Sequence, residues 1–413
     1  MNYLFLHQNF PGQFRHIASH LAADPAHRVV AIGEAANLKR ATGLHPRVAV
    51  CSYPAPKPAG NATHRYLQGY EAAMHRGLAV AGIAAQLKAG GFTPDLVMAH
   101  PGWGEALFLR GLFPDARLVL HAEYYYHADG ADVGFDPEFP PAADDAFRIR
   151  IKNTTQWMSM EGADLLIAPT RWQASRFPAI VQDRIRVAHE GIDTARVAPD
   201  ASARVTLAKA GITLGTEDEV ITYVARNLEP YRGFHIFMRA LPELLRRRPQ
   251  ARVLIVGGDQ VSYGGAPADG RTWRRTLLDE IGDRVDPGRI RFLGRIPYAD
   301  YLRLLQVSTV HAYLTYPFVL SWSLLEAMAA GCMVVASDTA PVKEVVRHGE
   351  NGWLVDFFDH QALAEALAKA LEQRDQLTEI RQAARRTVTE RFDLRRRCLP
   401  EQLTLLRQLM DRN

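Results

Sequence analysis

Four groups of residues in this 413-residue chain have types and spacings that could do chemistry. His7, His100 and His121 each close a short apolar run, and His127 follows six residues after His121. An imidazole titrating near neutrality can take or give a proton or hydrogen-bond a hydroxyl. Ser321, Trp322 and Ser323 precede an apolar helical pattern that carries Glu326 one turn in. The unpaired amides and the dipole of a helix start favour an anion there. Arg226 and Arg232 flank a turn between a strand pattern and a helix pattern, and guanidinium groups grip phosphate bidentately. Glu123 and Tyr124 to Tyr126 could offer stacking and hydrogen-bonding surfaces. Each group has a plainer alternative: a core histidine, a solvated helix carboxylate, a surface arginine, an aromatic packed in the core.

These residues need elements to position them. Short apolar runs alternate with helix-period segments along the chain, the pattern of parallel sheets with crossover helices. One series of expected strands runs through Tyr3–His7, Arg28–Ile32, Val48–Tyr53, Leu96–His100, Arg117–His121, Leu165–Ala168 and Ile185–Ala188. A second runs through Val220–Val224, Arg252–Val256, Ile290–Phe292, Val310–Tyr313, Met333–Ser337 and Gly352–Val355. The stretch from His189 to about Ser202 reads as a linker, with the domain boundary near 195–200. This gives an α/β chain of two Rossmann-like domains, 1–197 and 198–390, and a last helical segment, 391–413, expected to cross back to the first domain. Ligands of open α/β sheets sit beyond the carboxyl ends of the strands, so the residues just after each strand carry the functional weight. Those include Gly12, the close-approach turn Gly257-Gly258-Asp259, and Arg295-Ile296.

The segment PFVLSWSLLEAMAAGCMVVASDTAPVKEVVRHGENGWLV, residues 317–355, resembles the donor-binding segment of family 4 (group 1) glycosyltransferases, which have the GT-B fold of two Rossmann-like domains facing across a cleft. VARNLEPYRGFHIF, residues 224–237, is similar to that family's strand, loop and helix in which an arginine and a lysine neutralise the donor diphosphate. Arg226 matches the arginine; Arg232 stands near the lysine position, one residue beyond the usual spacing. The resemblance gives Glu326 the ribose hydroxyls and puts Arg295 and Ile296 where backbone groups meet the nucleotide base; the helix-start amides at Ser321, Trp322 and Ser323 suit the diphosphate of that donor, and Gly257 in its close-approach turn joins them as a donor-side candidate. Glu344 resembles a family carboxylate that follows the Glu326 unit. In the first domain it places His121 in the active site and likens Gly12 to the glycine loop on the acceptor side, where His7, His100, Glu123 and Tyr124 also fall. The family commonly has two glutamates eight positions apart. Glu326 matches the second, but Phe318 occupies the place of the first, which in the family contacts the transferred sugar. Either backbone groups from Val319 through Leu320 to Ser321 take over sugar recognition, or the donor sugar differs, or activity is lost.

The resemblance implies a retaining transfer of a sugar from a nucleotide-diphosphate donor to a hydroxyl of a glycan, glycolipid or polysaccharide precursor, with the departing phosphate able to accept the proton. The alternatives are a non-catalytic nucleotide-sugar-binding subunit and a sugar-nucleotide epimerase or phosphorylase of the same architecture. No G-x-G-x-x-G follows an expected strand and no D-x-D triplet occurs, so neither a nicotinamide cofactor nor a catalytic metal is expected; the nucleotide sugar is a co-substrate. Three cysteines without metal-ligand spacing, no long apolar run and no secretory leader pattern lead to the expectation of a cytoplasmic protein. The net charge of +4 comes almost wholly from arginine, lysine standing at only seven positions. The expectation is no nucleic-acid partner, with contact to the inner face of a membrane left open.

Overall fold

A computed structural model describes residues 1–207 and 211–411, and the chain divides into two compact units, residues 1–191 with 395–413, and residues 192–394. In the first unit seven strands, β1 (Asn2–Leu6), β2 (Arg28–Glu34), β3 (Val48–Tyr53), β4 (Leu96–Ala99), β5 (Arg117–His121), β6 (Leu165–Ala168) and β7 (Ile185–Val187), form one sheet in the order β3-β2-β1-β4-β5-β6-β7. All its pairings are parallel. The inner strands are continuous apolar runs because both faces are covered: Leu4, Leu6, Val30, Ile32, Val97 and Leu120 enter one core. Their alternates Phe5, Val29, Ala31, Met98, Val119 and Ile167 enter the other. Each fully buried side chain of this size contributes about 1.5–3 kcal/mol. The second core is completed by Leu406 and Leu409 of the helix Leu399–Met410, which packs beside the helix Arg15–Ala23.

In the second unit β8 (Arg204–Leu207) and β9 (Ile212–Gly215) pair antiparallel. Six parallel strands follow: β10 (Val220–Asn227), β11 (Arg252–Gly258), β12 (Ile290–Gly294), β13 (Val310–Tyr313), β14 (Met333–Ser337) and β15 (Trp353–Val355). Their order is β12-β11-β10-β13-β14-β15. The parallel strands lie where the apolar runs placed them. The β8–β9 pair was not anticipated, since Arg204–Leu207 and Ile212–Gly215 are only four residues each, the first of them half exposed, too short to stand out from the preceding linker. The unit break stands at Gly191, and residues 192–197 belong to the second unit, where Ile192 pairs with Asp393 and Val197 enters the core. Among the described residues no helix is long and apolar enough to cross a membrane.

Candidate functional site

Strand order reverses in the second unit between β10 and β13, the switch point beyond whose carboxyl ends ligands of open α/β sheets bind. Arg226 lies at the end of β10, exposed, with no ion pair or hydrogen bond among the described residues. Six residues on, Arg232 is buried. Its Nη1 donates to Thr315 Oγ1 at 2.8 Å and to the Val319 carbonyl at 3.0 Å, and its guanidinium lies 5.5 Å from the Tyr263 ring centre and 5.7 Å from that of Phe318. Two arginines that look equivalent in sequence thus differ in kind. One is a free cation at a strand end; the other ties the loop after β13 to the loop after β10. Gly233 makes this approach feasible: its φ of 66° is left-handed, and a Cβ there would come within 2.3 Å of Leu314.

Phe318 is 3% exposed. Its ring stands 5.4 Å from Tyr231, edge to face, and 4.8 Å from Tyr263. Tyr263 is carried by a loop that Glu229 holds. The fully buried Glu229 carboxylate accepts the backbone amides of Ser262, Tyr263 and Gly264 at 3.0 to 3.1 Å. Replacing Glu229 by alanine is expected to destabilise the protein by about 2–4 kcal/mol by leaving three amides unpaired, with glutamine costing less. Chemical denaturation and faster amide exchange at residues 262–264 check it; unchanged exchange would show that the carboxylate does not hold the loop.

Ser321 caps the helix Trp322–Ala329, its Oγ accepting from the Ser323 amide at 3.3 Å, while its own amide donates to Tyr313 Oη at 2.8 Å. The amides of Ser321 and Ser323 are therefore engaged within the protein, and Trp322 is exposed at the helix start. One turn on, Glu326 Oε1 accepts from the Tyr298 hydroxyl at 2.6 Å and Oε2 from the Tyr301 hydroxyl at 2.8 Å. Burial raises the Glu326 carboxyl above its ordinary range, and the two phenols pull it back. Each carboxylate oxygen keeps a second lone pair for a ligand hydroxyl. Tyr298 and Tyr301 are three apart on the helix Tyr298–Val307 and so share a face, a spacing visible in the sequence but without a partner to read it against.

The remaining donor-side candidates lie in the same unit. Gly257 packs so closely that a Cβ would lie 2.7 Å from Leu228 and 2.9 Å from the Ala225 carbonyl. Arg295 is exposed and donates to Asn227 Oδ1 at 3.0 Å. Ile296 and Leu320 pack into the core of the unit, and Glu344 follows the short helix Ala340–Lys343, half buried.

In the first unit the strand order reverses between β1 and β4, and the histidines that follow them meet there. His7 and His100 have ring centres 5.7 Å apart, and His100 stacks on Trp103 at 3.9 Å. His7 Nε2 lies 2.6 Å from Gln13 Oε1, Gln13 Nε2 donates to Glu123 Oε1 at 2.8 Å, and His100 Nε2 lies 3.2 Å from Glu123 Oε2. Burial, aided by His100, pushes the His7 imidazole down to about 3. Burial alone would raise Glu123, but the hydrogen bond and charge of His100, with His121 and His7, hold it near 2, an ionised carboxylate. Gly12, with φ 44°, gives His7 room: a Cβ there would lie 2.6 Å from the imidazole. His121, 5% exposed, ends β5 with its ring 6.0 Å from that of His100. Glu190 Oε1 lies 3.1 Å from His121 Nε2, and Glu190 Oε2 3.6 Å from His189 Nε2. Tyr124 points inward, its hydroxyl donating to Asp132 at 2.7 Å and its ring stacked on Trp172. His127 Nε2 lies 2.7 Å from the Arg176 carbonyl. The structure therefore brings His7, His100, Glu123 and His121 together and draws Tyr124 into packing. It adds Gln13, Trp103 and Glu190, the last read from sequence only as part of a linker.

Comparison with known proteins agrees with this layout. Residues 25–197 match the family described as glycosyl transferase family 4 group, and residues 207–387 match glycosyl transferases group 1. A D-inositol 3-phosphate glycosyltransferase of Corynebacterium efficiens is 33% identical over 201 residues, 48% of this chain and 45% of that protein. A phosphatidyl-myo-inositol mannosyltransferase of Mycolicibacterium smegmatis is 33% identical over 166 residues, 39% of this chain and 38% of that protein. The chain thus spans less than half the length of these curated relatives. Among solved structures, HepE of Anabaena in complex with UDP superposes with a TM-score of 0.66 at 18% identity, covering 99% of this chain and all of the other. Sucrose-phosphate synthase of Thermosynechococcus elongatus does so with 0.75 at 18% identity, covering both chains fully. These structures establish the GT-B fold class. With both halves of the chain matched and the fold in agreement, the protein belongs to the family 4, group 1 glycosyltransferases.

Proposed function

We propose that the protein transfers a sugar, with retention of configuration and without a catalytic metal, from a nucleotide-diphosphate donor to a hydroxyl of a glycan, glycolipid or polysaccharide precursor. The observation that carries this is the exposed, unpartnered Arg226 at the switch point of the second sheet, in the same unit as Glu326 on its capped helix. In this reading the bond from the anomeric carbon to the diphosphate breaks, the acceptor oxygen bonds to that carbon, and the proton passes to the departing phosphate. Arg226 stabilises the charge that grows on the leaving group, a stabilisation larger in the transition state than in the bound donor. Arg232 holds the loop that leads to Ser321. Glu326 takes the ribose hydroxyls, and His121 positions and polarises the acceptor hydroxyl. The curated relatives support a hydroxyl acceptor, since they are named for transfer to inositol 3-phosphate and to phosphatidyl-myo-inositol. The UDP complex of HepE supports a nucleotide donor.

Thermal-shift screening against UDP-, GDP-, ADP- and TDP-sugars, then mass detection of products with mixed acceptors in EDTA, tests it. Stabilisation by one nucleotide sugar and acceptor-dependent release of its nucleotide are expected. Failure to bind any of them sinks the reading. Phe318 favours a second one, a nucleotide-sugar-binding subunit, which donor binding without turnover would support. Exchange of Glu326 for glutamine is expected to weaken nucleotide affinity roughly ten- to hundredfold, because hydrogen bonds to a charged acceptor are the stronger kind. A titration giving the same affinity as the unaltered protein would remove Glu326 from the nucleotide site.

A further inference from the structure

Glu190 lies just beyond β7, on the turn that closes the first unit's sheet, and is 5% exposed. The turn is pinned from two sides: the Gly191 amide donates to His189 Nδ1 at 2.9 Å, and Gln402 Nε2, from the helix at the far end of the chain, donates to the His189 carbonyl at 2.8 Å. A buried carboxylate set between two imidazoles is costly to desolvate, and removing one partner of such a pair costs more than the pair contributes. Its placement against His121 has a specific chemical effect. Glu190 Oε1 approaches Nε2 to 3.1 Å without making a hydrogen bond, so the two act on each other through charge. A carboxylate at that distance repels a lone pair and attracts an N–H, so it selects the tautomer protonated on Nε2. Nδ1 then carries the lone pair, and it has no hydrogen-bond partner among the described residues.

We propose that Glu190 is the positioning residue for His121, holding its proton on Nε2 so that Nδ1 is the nitrogen that receives the acceptor hydroxyl. This rests on the transfer reading above and names a device within it. The charged and titratable groups around His121 are Glu190 and Glu123, which favour its protonated form, and His100 and His189, which oppose it; burial opposes it most. Deleting the Glu190 charge therefore moves the imidazole pKa further down. If neutral His121 is the active form, the rate falls as pH drops through that pKa, so the acid limb of the profile moves to lower pH in Glu190→Gln.

Three readouts test this on the full chain. In Glu190→Gln, kcat is expected to fall about tenfold or more, within the range of acid–base assistance, with the KM for the donor unchanged. The acid limb is expected to shift to lower pH, and Glu190→Asp to restore part of the rate. Independently of turnover, the His121 ring resonances, assigned through His121→Gln, should titrate at lower pH in Glu190→Gln than in the unaltered protein. Unchanged ring titration, or unaltered kcat together with an unaltered pH profile, overturns the proposal. If acceptor-dependent transfer is measured and His121→Gln abolishes it while Glu190→Gln does not, the proposal fails and the transfer reading stands. If no nucleotide sugar binds, the transfer reading fails, and the ring titration still decides whether Glu190 governs His121.

Discussion

Replacing Arg226 by alanine is expected to lower kcat/KM for the nucleotide sugar by about 10²–10³-fold, the loss found when one preorganised group facing developing charge is removed. The melting temperature should hardly move. Arg226 is exposed and has no partner among the described residues, so truncation leaves no buried group unsatisfied. Lysine at 226 should recover part of the loss, since it restores the charge but not a bidentate grip. Arg232 provides the contrast. Its alanine variant should lose stability, because Thr315 Oγ1 and the Val319 carbonyl both depend on its Nη1. Steady-state kinetics and a thermal melt on the two variants separate the roles; full turnover in Arg226→Ala would remove that residue from the diphosphate site and weaken the functional reading with it.

Placing the family's glutamate back at 318 is expected to damage the protein rather than improve it. Phe318 is 3% exposed, enclosed by the Tyr231 and Tyr263 rings and lying 5.7 Å from the Arg232 guanidinium. Loss of a buried phenyl ring costs about 3–5 kcal/mol when the site cannot collapse. The new carboxylate must also be desolvated, and the nearby Arg232 guanidinium is already engaged through Nη1 with Thr315 and Val319. Phe318→Glu should therefore melt at lower temperature, bind donor more weakly and gain no turnover, whereas Phe318→Leu should cost less and keep Arg232 in place. Thermal denaturation with a nucleotide-sugar titration checks both. Tighter donor binding and faster transfer in Phe318→Glu would show that the aromatic box is dispensable and that the site is an ordinary member of its family.

The aromatic box also explains why the sugar end of the site was the hardest part to read. Phe318 in the sequence is a missing carboxylate. In the structure it belongs to a packed group of rings around a cation, and that group depends on Glu229, just after β10, which holds the Tyr263 loop that follows β11. The other unread partners have the same character. Tyr298 and Tyr301 precede Glu326 by one helix and one strand, and Gln402 lies 213 residues from the His189 carbonyl it bonds. The β8–β9 pair went unread for another reason, since four alternating residues in Arg204–Leu207 are too few for a periodic pattern to stand out.

The sequence by itself determined the parallel strands of the two sheets and the residues at their carboxyl ends, because a strand buried on both faces must be apolar along its length and punctuated where it stops. It therefore placed Arg226, Arg232, Glu326, His7, His100 and His121 at strand ends or helix starts. Only the tertiary structure decided which of them are free and which are held. That depends on strand order and on loops from distant parts of the chain, which no local pattern encodes. Six residues apart in one turn, Arg226 is left in solvent while Arg232 is buried by the loop after β13, and His121 acquires its carboxylate from a residue that local patterning assigns to a linker.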